Sequence, residues 1–187
     1  MTCSPPEATL TAFAGFRRIA SGPRAEVIAQ LRARSARADA VPPFVFDDHT
    51  GDRLDLDLRD LPHAAPADEH ETRGVGRPRL GVVAREVTLL PRHWDWLSRQ
   101  PGGASVALRR LVEEARHVHA DRDARRAARE AAYRFMSAIA GDLPGFEEAA
   151  RALFAGDQAR FDALVGAWPE DLAAHLNRLA GAAWSAA

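Results

Sequence analysis

The chain has 187 residues, of which 47% are hydrophobic, and its formal net charge at pH 7 is −1. This apolar content is ample for a buried core and excludes a wholly disordered protein. No apolar run reaches the length of a membrane span, the N-terminus has no signal-peptide hydrophobic region, and the single cysteine excludes an internal disulfide. We therefore expect a soluble cytoplasmic protein.

Residues 1–60 are predicted to form a small α+β domain with the order ββαββ. Residues 10–13 and 17–20 are typical of two short strands, and residues 24–37 have helical spacing. A hairpin follows, in which PFVF leads into the turn DDHTGD and then into RLDLDL, where leucine alternates with charge. The sequence thus predicts a sheet covered by one helix. The aspartates around the turn lack the spacing of a calcium loop, so we interpret them as turn formers.

Residues 61–75 (LPHAAPADEHETRGV) are predicted to be a linker. The segment is rich in proline, alanine and charge and has neither helical nor strand periodicity. Its histidines and acids do not predict a metal site, because a linker cannot hold ligands in a fixed geometry.

Residues 76–120 are predicted to form a strand followed by two helices. An arm that carries two arginines, Gly76-Arg77-Pro78-Arg79, precedes a β-branched strand at residues 82–90. The proline excludes a helical arm.

The two helices of this segment have clear start and stop signals. Pro91 suits the first turn of a helix whose apolar side includes Trp94 and Leu97. Pro101-Gly102-Gly103 is expected to end that helix with a left-handed glycine. Ser105 is predicted to cap the second helix, which carries apolar side chains at positions 108, 111, 112 and 115.

The order strand, helix, glycine turn, helix resembles the ribbon-helix-helix fold of bacterial repressors. The resemblance implies a homodimer, because in that family two chains pair their strands into a ribbon that enters the major groove of DNA. It also implies that the N–H groups at the start of the second helix hold a phosphate. The DNA contacts implied in the arm, the strand and the helix start are Arg77, Arg79, Arg85, Thr88, Gly103, Ala104 and Ser105.

The charge distribution is typical of a DNA-binding centre. Residues 71–134 hold 14 arginines and 8 acids, a net charge of +6. Residues 1–70 hold 8 arginines and 11 acids, and residues 135–187 hold 3 arginines and 7 acids, so both flanks are acidic. A basic centre attracts phosphate. We therefore expect a homodimeric regulator of transcription that binds double-stranded DNA.

Two alternatives stay open. Glu86 lies on the predicted strand, where its carboxylate would meet phosphates and base acceptors unfavourably. In the first alternative the chain is a non-enzymatic protein–protein interaction or assembly module. Its central segment then only dimerises, and the acidic flanking domains bind other proteins. The second alternative is a helix-turn-helix, with Arg109, Arg110 and Arg116 on its recognition helix.

Residues 121–187 are predicted to form a helical domain. Its last three helices are expected at residues 146–154, 158–168 and 170–179, with Asp157 among the boundary residues. Their predicted core consists of Phe146, Leu153, Phe154, Phe161, Leu164, Val165 and Trp168. The fold class of the whole chain is thus α+β, with an N-terminal ββαββ unit, a central strand-helix-helix unit and a C-terminal helical region.

As a whole, the chain is similar to an uncharacterised family of bacterial proteins, a domain of unknown function. The similarity lies in TAFAGFRRIASGP, FDDHTG, residues 76–116 and YRFMSAIAGDLPGFEEAARALFAGD, which together span nearly the whole chain. It implies an architecture and brings no activity.

The sequence contains no motif typical of an active site. A phosphate-binding glycine loop with lysine, a G-x-S-x-G nucleophile elbow and an H-E-x-x-H helix are all absent. We therefore expect a protein without catalytic activity, cofactor or metal.

Overall fold

The computed structural model of the chain describes residues 9–35, 42–56, 83 and 85–184. The chain divides into two compact units. Residues 1–58 and 119–187 form one, which we call the sheet–helix unit, and residues 59–118 form the other, the central unit. None of the described helices is both long and apolar enough to cross a membrane.

The sheet–helix unit begins with the predicted ββαββ order, and the α+β class is confirmed. Its strands and helix are β1 (Thr9–Ala14), β2 (Arg17–Pro23), α1 (Arg24–Ser35), β3 (Phe44–Asp47) and β4 (Arg53–Leu54). The four strands form an antiparallel sheet in the order β2-β1-β3-β4.

Both faces of the sheet are covered, whereas the sequence predicted one. On β1, Leu10 and Ala12 pack in a cluster with Val27 and Leu31 of α1. Phe13, which points to the opposite face because strand side chains alternate, belongs to a second and larger cluster. The larger cluster also contains buried side chains from the helices of the C-terminal region.

The helices that follow lie close to their predicted positions, except that the second of them is longer than predicted. Their bounds are α2 (Pro91–Ser98), α3 (Gly103–Ile139), α4 (Phe146–Ala155), α5 (Gln158–Val165) and α6 (Glu170–Ala180), followed by a 3-10 turn at Gly181–Trp184. Asp157 caps α5 as its side chain accepts from Arg160 N at 3.1 Å.

The sheet and the C-terminal helices share one core. Phe135 of α3 lies with its ring centroid 5.5 Å from Phe13 and 4.8 Å from Phe46. The sequence assigned residues 1–60 and 121–187 to separate domains, and the structure groups both in the sheet–helix unit. The physical reason is the second apolar face of the sheet, which the helices cover.

The predicted helical core is mostly buried, with one exception. Leu153, Phe161, Val165 and Trp168 are buried, and Phe146 and Leu164 pack against them. Phe154 is 51% exposed, so its placement in the core is wrong. Its ring instead meets Tyr133 edge to face at 5.3 Å on the surface.

The DDHTGD turn is built as turn chemistry predicts and also docks on α3. Asp47 Oδ1 accepts from the N–H groups of His49 and Thr50 at 2.7 and 2.9 Å. Gly51 has φ +71°, and a Cβ at this residue would lie 2.0 Å from the carbonyl oxygen of Ala131 on α3. Glycine is therefore required at position 51 for two reasons: the backbone has a positive φ, and the carbonyl oxygen of Ala131 leaves no room for a Cβ.

In the central unit the predicted helices form, and the predicted ribbon strand stays a prediction. Residues 83 and 85–90 belong to no helix or strand of the described single chain. A ribbon requires hydrogen bonds from a second chain. Pro91 begins α2 as predicted, and Gly102 and Gly103 have the expected positive φ of 81° and 77°. Helix α3 begins at Gly103, two residues before Ser105, so the predicted capping role of Ser105 is wrong.

Candidate functional site

The residues implied as DNA contacts lie in three settings. Arg77 and Arg79 lie outside the described residues. Arg85 and Thr88 are exposed in the irregular segment before α2. Gly103, Ala104 and Ser105 form the first turn of α3, where backbone N–H groups lack an intrahelical acceptor. The N–H of Gly103 donates to the carbonyl of Gln100 at 3.0 Å, which leaves Ala104 and Ser105 as the N–H donors of the predicted phosphate site.

The central unit exposes most of the apolar surface described. Twelve large hydrophobic side chains are exposed in the described part of the chain, and nine lie between Val83 and Val118: Val83, Val87, Leu90, Trp94, Trp96, Val106, Leu111, Val112 and Val118. Within the same described stretch only Leu97 and Ala107 are buried. The central unit therefore presents a surface with the composition of an interface.

Helical spacing gathers part of this surface into one stripe on α3. Leu108, Leu111, Ala115 and Val118 follow one another at intervals of three, four and three residues, which keeps them on one face. Val112 adjoins Leu108 one turn later. Leu108 is half-buried, and every side chain from residue 109 to residue 122 is exposed, so the stripe is unpaired from Leu111 to Val118 in the described chain.

Charges border the stripe with opposite sign on its two edges. Glu114 and Asp121, seven residues apart, fall along one edge of the stripe on a helix wheel, and His119 and Arg126, also seven apart, fall along the other. The exposed Arg126 also lies 3.3 Å from Asp123, one turn earlier on its own helix. One edge of the stripe thus carries two carboxylates, and the other carries the positive charge of Arg126.

A second candidate is a polar cluster buried in the sheet–helix unit. Thr11 Oγ1 donates to Asp48 Oδ1 at 2.7 Å. Arg178 of α6 lies over both groups, with its Nη2 2.8 Å from Asp48 Oδ1 and 3.1 Å from Thr11 Oγ1. The same Nη2 lies 2.9 Å from Nδ1 of His175, one turn earlier on α6. The Asp48 side chain is 6% exposed, whereas that of Arg178 is 49% exposed.

The hydrogen bonds assign the tautomer of His175. Arginine has only donors, so Nδ1 of His175 must accept, and the proton of the neutral ring lies on Nε2. Burial, Arg178 and Arg18 lower the pKa of His175 to about 4, against a smaller opposing effect of Asp48. The ring also packs against Phe135 at 4.5 Å and Phe13 at 5.3 Å, which adds to its desolvation.

The side chains of Thr11, Asp48 and His175 are buried, and that of Arg178 is half-exposed. His175 Nε2 and Asp48 Oδ2 are buried without a hydrogen-bond partner among the described residues, and Nε2 lies 3.9 Å from Asp48 Oδ1. That distance is too long for a hydrogen bond. The cluster joins β1, the β3–β4 turn and α6, three elements that are far apart in the sequence. No group of three or more metal-ligating side chains occurs within the described ranges.

Sequence reasoning did not find this cluster. Asp48 was interpreted only as a turn former, although its neighbour Asp47 makes the turn's hydrogen bonds. The available signal was on α6, where His175 lies at helical spacing among buried Leu172, Leu176 and Leu179, three residues before Arg178. A histidine on an apolar helix face requires a polar partner when it is buried.

The comparison with known families identifies the chain at family level. Residues 9–180 match the family described as "Uncharacterized protein conserved in bacteria (DUF2239)". The match spans nearly all of the 187 residues, so the chain belongs to this family, and the similarity seen in the sequence is confirmed. No curated protein and no solved structure gives a significant match to the chain.

Proposed function

We propose that this chain functions as a homodimer assembled through its central unit, and that its role is protein–protein interaction rather than catalysis. The observation that carries the proposal is the concentration of exposed apolar side chains between Val83 and Val118. Soluble monomers seldom expose a large contiguous apolar patch, and such patches usually belong to interfaces. The proposed partner is the central unit of a second copy of the same chain, which is present wherever the protein is present.

The exposed part of α3 supports the same proposal. Residues 109–122 have exposed side chains all round, so the described chain gives this stretch no tertiary packing. Helices of about 14 residues are marginal in water when nothing packs against them. Burying the face that contains Leu111 and Val118 against a partner would stabilise both the helix and the dimer.

The experiment compares Val118→Glu with Ala120→Glu by sedimentation and light scattering of the full chain. Val118 is 69% exposed in the single chain and lies on the stripe, whereas the exposed Ala120 lies on the opposite face of α3. Removing two symmetry-related valines from the interface should cost about 3 kcal/mol, which weakens the dimer by a factor of about 100. Ala120→Glu adds the same charge and should leave the dimer intact.

A monomeric wild-type chain at high concentration, with a folded central unit, would contradict the proposal. Equal weakening by the two variants would also contradict it, because the effect would then come from charge rather than from the apolar face. Far-ultraviolet circular dichroism checks that both variants retain α3.

A second candidate function, favoured by the charge distribution, is a homodimeric DNA-binding regulator. Residues 71–134 carry the net charge of +6, and α3 alone holds 8 arginines and 5 acids, a net charge of +3. Arg109, Arg110 and Arg116 are exposed. A dimer doubles this positive charge along one duplex, which favours counterion release on binding.

The DNA candidate has its own test. Affinity for duplex DNA should fall steeply with salt, and replacing Arg77 and Arg79 together by alanine should flatten the logarithmic slope by up to about two units per chain. Thr88→Ala should relax sequence preference instead, because only a groove-facing residue reads base edges. If the wild type is retained on duplex DNA no better than a neutral control protein, the DNA candidate fails and the assembly proposal is unaffected.

A further inference from the structure

We propose that two copies of this chain pair along α3 in a parallel, in-register arrangement, with Leu108, Leu111, Ala115 and Val118 facing their counterparts. The inference rests on the proposed homodimer and specifies its surface and orientation. It follows from the order of charges along the two edges of the α3 stripe.

The stripe has the spacing of a two-stranded helical seam. Its apolar residues alternate intervals of three and four, the repeat that keeps one face of a helix against a partner. The next position in the series is Arg122, which ends the apolar seam. In the parallel pair the two Arg122 side chains meet there, and their long stems let the two guanidinium groups turn outward to solvent. Ala115 lies in the middle of the seam, where its small side chain lets two helices approach closely.

The charges at the edges distinguish the two possible orientations. In a parallel pair, the edge of one helix that carries Glu114 and Asp121 faces the edge of the second helix that carries His119 and Arg126. Glu114 would then face His119 of the second copy, and Asp121 would face Arg126 of the second copy. The contact between Asp121 and Arg126 joins groups of opposite charge.

An antiparallel pair would bring like edges together. Glu114 and Asp121 would then face the acidic edge of the second copy, and His119 and Arg126 would face its basic edge. Like charges across a helix pair are unfavourable and disfavour that orientation. The side chains of Asp121 and Arg126 are exposed in the single chain, so pairing requires no rearrangement of a buried group.

Cysteine cross-linking tests the orientation directly. In a Cys3→Ser background, chains carrying Val118→Cys and chains carrying Leu111→Cys are prepared separately, one of them with a mass tag. Parallel in-register pairing predicts that each variant forms a disulfide with its own kind. It predicts little mixed disulfide when the two are combined. Ala120→Cys, on the opposite face of the same helix, is the control and should remain reduced under the same mild oxidation.

The outcomes separate the inference from the proposed dimer. A mixed disulfide between Leu111→Cys and Val118→Cys without self-linkage would indicate antiparallel pairing, which overturns the inference and leaves the dimer. A dimer by sedimentation with no cross-link at either position would place the interface elsewhere, which also overturns the inference. A reduced protein that sediments as a monomer at every concentration overturns both.

Charge exchange gives a second, independent readout. Asp121→Arg should weaken the dimer about tenfold at low salt, since two symmetry-related attractions become repulsions. Adding Arg126→Asp to the same chain should restore affinity to within about threefold, because the exchanged pair again has opposite signs. Failure of the second substitution to restore the dimer contradicts the parallel contact between these two residues.

Discussion

Replacing His175 by glutamine should remove a large part of the chain's sensitivity to acid. His175 is buried, accepts a hydrogen bond from Arg178 through Nδ1 and is neutral in the folded protein. Its pKa is about 4 when folded, against 6.5 for an unperturbed histidine. Glutamine occupies a similar space and does not titrate in this range.

Acid lowers the free energy of unfolding because the proton binds more tightly to His175 in the unfolded chain than in the folded protein. Because the folded pKa lies below the unfolded one, the unfolded chain takes up the proton first as the pH falls. The stability contributed by neutral His175 is complete above pH 6.5 and is lost progressively down to pH 4. The loss amounts to about 2 kcal/mol at pH 5 and about 3 kcal/mol at pH 4, from 1.36 kcal/mol per unit of pKa difference.

Urea unfolding at pH 7.5, 6, 5 and 4 measures the free energy of unfolding of the wild type and His175→Gln. Protein concentration is held constant, because self-association also contributes to stability. The variant is expected to be less stable at pH 7.5, with the gap closing by about 3 kcal/mol at pH 4. His49→Gln alters an exposed histidine of the same turn region and is the matched control. A gap between wild type and His175→Gln that is the same at all four pH values would refute the assignment.

Two further predictions concern the turn and the polar cluster. Gly51→Ala should destabilise the fold by about 3 kcal/mol or more, because the new Cβ would overlap the Ala131 carbonyl oxygen. Gly15→Ala, which has a positive φ but no atom within 4 Å of the new Cβ, should cost only about 1 kcal/mol in the same thermal melts, and equal losses would contradict the close approach. Thr11→Val should cost about 1–2 kcal/mol, because Asp48 loses a buried hydroxyl donor, and an unchanged melting temperature would contradict that hydrogen bond.

Local periodicity in the sequence was sufficient to predict the ββαββ order and most helices. The alternating leucines, the Asp157 cap and the glycines at 102 and 103 each act within a few neighbouring residues. The predicted boundary at residues 120 and 121 is not a helix boundary, because α3 runs through it to Ile139. No start or stop signal separates residues 109–122 from residues 123–139.

Long-range packing explains what the sequence did not predict. Thr11 and Arg178 are 167 residues apart yet lie 3.1 Å from each other, and neither belongs to a recognisable motif. The shared core of the sheet and the C-terminal helices has the same origin, since Phe13 and Phe46 have no sequence feature that identifies Phe135 as their neighbour. The ribbon remains a prediction, because its hydrogen bonds would come from a second chain.

Hydrogen exchange of residues 109–122, measured at low and high protein concentration, tests whether a second copy of the chain covers this face of α3. In the single chain these residues have exposed side chains throughout, so their helix should open readily and exchange quickly. A dimer that covers Leu111 and Val118 predicts slow exchange that speeds up on dilution and is fast at both concentrations in Val118→Glu. Slow exchange that does not depend on concentration would show that another part of the same chain covers this face and would contradict the proposed dimer.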